Sequence, residues 1–107
     1  MDLAAFKTTL TADKPPQDMG PRGLELALTA LWWDAKGDWD AAHQQVQQDE
    51  GNPICDWVHA YLHRKEGDAS NARYWYRSAG KPAASGDLDR EWGEITQALL
   101  QAKGKAA

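Results

Sequence analysis

Apolar residues fall at helical spacing in every long segment of this chain, and no segment alternates as a strand would. The clearest run begins at Pro53, where Ile54, Val58, Tyr61 and Leu62 give one broad apolar face flanked by Trp57. Asn52 before it can accept from free helix N–H groups, and Pro53 suits the first helical position, where no N–H is needed. Gly67 predicts the end of that helix, because glycine takes positive φ without a Cβ clash. Asp68 then caps a second helix carrying Ala72, Tyr76 and Ala79 on one side, and Gly80 with Pro82 stops it. The stretch 53–80 reads as two helices folded back on one another.

A weaker copy of this plan precedes it. A helix from about Pro21 or Gly23 to Lys36 carries Leu24, Leu28, Leu31, Trp32 and Trp33 around most of its circumference and is expected to be the most buried. Gly37-Asp38 ends it and caps a helix from Trp39 to about Glu50, with Ala42 and Val46 inward and Gln44, Gln45, Gln47 and Gln48 outward. After a loop over Lys81–Gly86, Asp87 is expected to cap a last helix, about 87–103. Its stripe of Leu88, Trp92, Ile95 and Leu99 would cover the helix of Tyr74 to Ala79. Gly93 weakens that helix by about 1 kcal/mol relative to Ala, and the tail from Lys103 should fray. Leu3, Phe6 and Leu10 mark either a short N-terminal helix or a loose terminus, followed by a Pro- and Gly-rich linker. The chain thus divides into an N-terminal segment and linker, 1–22, and one helical domain, 23–107.

Shifting the chain by 30 residues lays Gly37-Asp38 on Gly67-Asp68, Ala42 on Ala72, Ala30 on Ala60, Leu28 on Val58 and Leu24 on Ile54. With Ala60, Gly67-Asp68, Ala72, Tyr76 and Ala79 in the second unit and Leu26, Ala30, Trp33, Gly37, Trp39 and Ala42 in the first, the chain resembles the tetratricopeptide repeat family. Asp49 departs from that pattern, standing where a small residue is usual. The repeat is also shorter than the family's usual length of about 34. The resemblance covers about 23–82 and implies an all-α fold: a right-handed α-α superhelix of two hairpins, about 23–52 and 53–82, with a C-terminal capping helix. The second unit is also similar to a group of small bacterial proteins of helical-repeat type, which implies no activity. What the family resemblance does imply is a ligand groove lined by the first helix of each pair. Its positions fall on Leu24, Ala27, Leu31, Asp34 and Ala35, then on Ile54, Trp57, Tyr61, Arg64 and Lys65.

Composition narrows the classes. A chain of 107 residues with a net charge of −4 fits one domain and lacks the basic stripe of a nucleic-acid surface. Cys55 is the single cysteine, so no internal disulfide forms and a reducing compartment is consistent. The N-terminal residues lack the apolar core of a signal peptide, and no run is long enough to span a bilayer, so a cytoplasmic protein without membrane contact is expected. Six tryptophans need a core, a groove or an interface. Because Leu3, Phe6 and Leu10 offer little to cover Trp32 and Trp33, a weak homodimer through the N-terminal half is expected.

The chemistry-bearing residues are few. Asp56, His59, His63 and Glu66 fall within about 80° of one another on the helix wheel. His59 and His63, one turn apart, could hold a divalent metal with Asp56 or Glu66 as third ligand. The favoured account is the plainer one, in which both imidazoles line a polar helix face, bonded to carboxylates or aromatic neighbours. Arg73-Tyr74-Trp75-Tyr76-Arg77 mixes cations and aromatics, but consecutive helical residues cannot share one face, so packing is the simpler account than base stacking. Cys55 one turn before His59 reads as a small core residue. Trp57, Tyr61 and Arg64, spaced by four and three with Lys65 beside them, form a ridge suited to an apolar anchor with an acidic group. The leading reading is a protein- or peptide-interaction module using Trp57, Tyr61, Arg64 and Lys65, with no cofactor. The alternative is a metal- or small-molecule-binding protein or enzyme on the His59/His63 face.

Overall fold

Helix boundaries follow the capping chemistry of the chain. In the computed structural model, which describes residues 1–105, Asp2 caps α1 (Leu3–Thr8) by accepting from the Ala5 N–H. A 3-10 turn over Thr9–Thr11 follows. Helix α2 spans Arg22–Ala35, and Asp38 caps α3 (Trp39–Gln47) by accepting from the Ala41 N–H. Asn52 and Pro53 open α4 (Pro53–Glu66), which Gly67 closes in left-handed backbone, φ 94°. Asp68 caps α5 (Ala69–Ala79), and α6 spans Leu88–Lys105. The described regular structure is helical throughout. Among the described residues no helix is long and apolar enough to cross a membrane. Helix α6 carries on through Lys103; Ala106 and Ala107, the rest of the tail expected to fray, lie outside the described residues.

Two hairpins, α2/α3 and α4/α5, form the body, and α4 also lies against both α2 and α3. Leu28, Leu31 and Trp32 of α2 meet Val46 of α3 and Val58 and Leu62 of α4 in the main core. A smaller cluster of Ala60, Ala72 and Tyr76 closes the second hairpin, its alanines letting α4 and α5 approach closely.

Helix α6 is placed differently from expectation. It rests on α2, α4 and α1 rather than forming a further layer on α5. The Trp92 indole donates to the Leu31 carbonyl at 2.9 Å, and its ring lies 6.1 Å from that of Phe6. The α6 stripe therefore joins the larger apolar surface, that of α2 with Phe6 and Met19, while Tyr74 on α5 stays 55% exposed. Residues 1–22, read from the sequence as a segment apart, supply Phe6 and Met19 to this same core. Trp32 is fully buried, its indole N–H on Thr9 Oγ1 at 3.1 Å, and Trp33 is half-buried against the core. The apolar surface expected to drive self-association is therefore closed within the chain at Trp32.

Two glycines test this packing from opposite sides. A Cβ on Gly23 would lie 2.2 Å from Asn52 Nδ2, the side chain that caps α4 and also holds Asp49 at 3.0 Å. Gly23→Ala should displace that cap and cost about 1–2 kcal/mol. A Cβ on Gly93 would meet only Leu3 Cδ2, at 4.0 Å, an ordinary contact. Gly93→Ala should therefore stabilise by about 0.5–1 kcal/mol. Urea unfolding followed by circular dichroism measures both, and the two shifts should have opposite signs.

Candidate metal centre

The chain contains three histidines, and all of them converge. His59 and His63 stand one turn apart on α4, and α3 docks so that His43 reaches the same place. His43 Nε2 and His59 Nε2 are 3.0 Å apart. One ring nitrogen from each residue lies within 4.8 Å of those of the other two. Aromatic rings hold the imidazoles in place. Trp39 stacks on His43 with centroids 4.7 Å apart, and Trp75 of α5 stacks on His59 at 3.9 Å. The Trp39 indole is itself anchored on the Leu62 carbonyl at 2.8 Å.

Burial sets the charge of the cluster. His59 is 2% exposed, and desolvation, with His43 and His63 nearby, pushes its pKa down to about 3. His43 is lowered too, by its own burial and then by His63, with Glu66, Glu50 and Asp40 opposing. Both rings are thus neutral at pH 7 and offer a lone pair. His63 Nδ1 pairs with Glu66 Oε2 at 2.7 Å, and its Nε2 lies 3.4 Å from the Asn71 amide. His59 Nδ1 is buried without a hydrogen-bond partner. Such an atom costs about 1–3 kcal/mol.

Three imidazoles suit zinc, copper, nickel or cobalt and not the oxygen-seeking calcium or magnesium. Metal–nitrogen bonds of about 2.0–2.1 Å in tetrahedral geometry put nitrogens about 3.3 Å apart. One pair is already at 3.0 Å, and no pair exceeds 4.8 Å, so binding one ion draws the third nitrogen closer by at most about 1.5 Å.

The other residues singled out from the sequence are placed elsewhere. Asp56 is fully buried, and its two oxygens accept from the Gly51 N–H and the Ser78 hydroxyl, tying the α3–α4 turn to α5. Glu66 reaches the cluster through His63 only. Cys55 Sγ faces the Gly23 carbonyl at 3.3 Å, and burial pushes its thiol up to about 12, so it is no thiolate. In the ridge, Tyr61 is buried and donates to Asp34 Oδ2 at 2.8 Å, and Lys65 pairs with Asp34 Oδ1 at 2.9 Å. Arg64 holds Glu91 at 2.8 Å and the Gly86 carbonyl, while Lys81 sits 4.2 Å over the Trp57 ring. His43 was missed by sequence reasoning, because it follows the inward Ala42 on a glutamine-rich helix. The one signal for it is that it is the third histidine of three.

Protein-family models, curated proteins and solved structures give no match to the chain. The site is read from its own chemistry.

The lowered His59 pKa predicts an acid sensitivity. The unfolded chain takes up this proton near pH 6.5 and the folded chain only near pH 3, so between them the unfolded state binds more protons and stability falls as pH falls. Urea unfolding in the presence of chelator, from pH 6.5 to about pH 5 where carboxylates stay ionised, should show a loss of up to about 1.4 kcal/mol per pH unit for this histidine. His59→Phe should flatten the slope. A level profile for the wild-type chain would show that His59 protonates as readily folded as unfolded.

Proposed function

We propose that this chain is a small metal-binding protein of tetratricopeptide-repeat-like build, in which His43, His59 and His63 hold one divalent transition-metal ion and Glu66 orients His63. One observation carries the reading: all three histidines of the chain, drawn from two helices, meet within 4.8 Å. Their neutrality at pH 7 supports it, since a metal need displace no proton from His59 or His43. The repeat-like build is supported by the seating of α4 against both helices of the preceding hairpin, as successive units of a right-handed superhelix require.

A second reading, the interaction module, keeps a narrower form. Helix α6 covers much of the α2/α4 face, and an open cavity of about 390 Å³ remains beside it, lined by Tyr61, Lys65, Asp34, Lys7 and Trp92 among others. Its size suits one side chain or a chain end rather than an extended peptide. His43→Ala separates the two readings, because His43 does not line that cavity.

Chelator-treated protein dialysed against micromolar zinc or cobalt should take up one ion per chain, with a change in tryptophan fluorescence from Trp39 and Trp75. His43→Ala, a half-buried position whose loss leaves the helical circular dichroism intact, should weaken binding by more than about 100-fold. Glu66→Gln should weaken it about 10- to 100-fold. Wild-type protein that retains no ion, or a His43→Ala variant that binds as tightly as wild type, would overturn the proposal.

A further inference from the structure

Resting on the three-histidine reading, we infer that the metal keeps its fourth coordination position open on the side between α3 and α5, where it takes water, hydroxide or a small anion that Asn71 helps to hold.

The donor set is the first reason. Among the described residues no cysteine, aspartate or glutamate joins all three histidines within 4.8 Å. Glu66, the nearest carboxylate, is engaged by His63 Nδ1, and Cys55 faces α2. Three nitrogens leave a four-coordinate ion one ligand short, and in a water-accessible site that ligand is exchangeable.

Topology is the second reason. Helices α3 and α5 each pack on α4 and make no extensive contact with one another. They flank the α4 face bearing His59 and His63. Depth follows: His59 is 2% exposed and His63 7%, whereas His43, Trp39, Asn71 and Trp75 on α3 and α5 are half-buried. An ion drawn between the three rings therefore has α4 below it and these half-buried residues, nearer to solvent, above. The two indoles, each stacked on an imidazole, narrow that side, so the ligand is small.

Asn71 supplies the third reason. Its amide stands 3.4 Å from His63 Nε2, the ring nitrogen that Glu66 does not engage. Once a metal takes that nitrogen's lone pair, the amide is left at the rim of the fourth position with both a donor and an acceptor to offer. It then hydrogen-bonds whatever the metal holds there. A water in such a position ionises near neutral pH and is available as a nucleophile.

The test uses the full chain loaded with cobalt(II), whose visible bands report coordination, and azide as the probe anion. Azide should displace the bound water and shift the bands, saturating at one azide per cobalt, and the bands should also titrate with pH. Asn71→Ala should weaken azide binding about 2- to 10-fold, the effect of one hydrogen bond, while leaving cobalt affinity unchanged. Its backbone N–H still donates to Asp68 Oδ1, so the α5 cap is retained. Cobalt bands that ignore azide and pH would show a closed site and overturn this inference while leaving the three-histidine reading intact. Absence of cobalt binding would overturn both. Azide affinity equal in wild type and Asn71→Ala would overturn the role of Asn71.

Discussion

A helix buried on every side can keep polar residues only if each finds a partner inside the protein. Helix α4 meets this constraint: α2, α3, α5 and α6 all pack on it, and Asp56, His59, Tyr61 and His63 are buried along its length. Each unmet group would cost more than a typical hydrogen bond gains, because burial strips the water without replacing it. Asp56 therefore draws in the Gly51 N–H and Ser78, and Tyr61 draws in Asp34. The arrangement of neighbouring elements is largely the solution to this list of demands. His59 is the member for which the protein's own groups fall short.

The same constraint explains where α6 goes. Its apolar stripe could have extended the stack, but α5 offers it little beyond the small Ala72 and Tyr76 surface, already closed by α4. On the α2/α4 face it gains Trp92 against Leu31 and Phe6, and Glu91 reaches both Arg64 and Tyr76. Glu91 is 6% exposed, so its charge needs Arg64 as much as Arg64 needs it. Burial and this carboxylate together push the Tyr76 hydroxyl well above its ordinary range, which keeps it a donor at any physiological pH. A face that a repeat stack leaves free for a ligand is here mostly spent within the chain.

What the sequence made legible is what local chemistry decides. Asn52-Pro53, Gly67-Asp68 and Gly80 place four helix ends to the residue, because caps and positive-φ positions are settled within one turn. Apolar spacing likewise identified α2 as deeply buried and gave α4 a broad apolar face. The helix wheel went wrong on grain rather than on principle. Asp56 and His59 share a broad face of α4, yet that face borders two neighbours, and Asp56 turns to the Gly51 turn and Ser78 while His59 turns to His43. Angle along one helix does not say which partner waits there. His43 and the seat of α6 depend on contacts across 16 and 61 residues, which no local pattern encodes.

That dependence on tertiary structure is itself informative about the metal centre. Neither hairpin contains it: α4 alone brings two imidazoles one turn apart, the geometry of many solvated helix faces. The third arrives only when α3 docks, and its docking is fixed by Trp39, which donates to the Leu62 carbonyl and stacks on His43. Trp75 fixes His59 from the other side, across the second hairpin. The cluster therefore forms at the joint between the two hairpins, out of residues whose orientations the packing of both determines. Rings held by stacking have little freedom left to lose, which is the property a candidate metal site needs beyond mere nearness of its histidines.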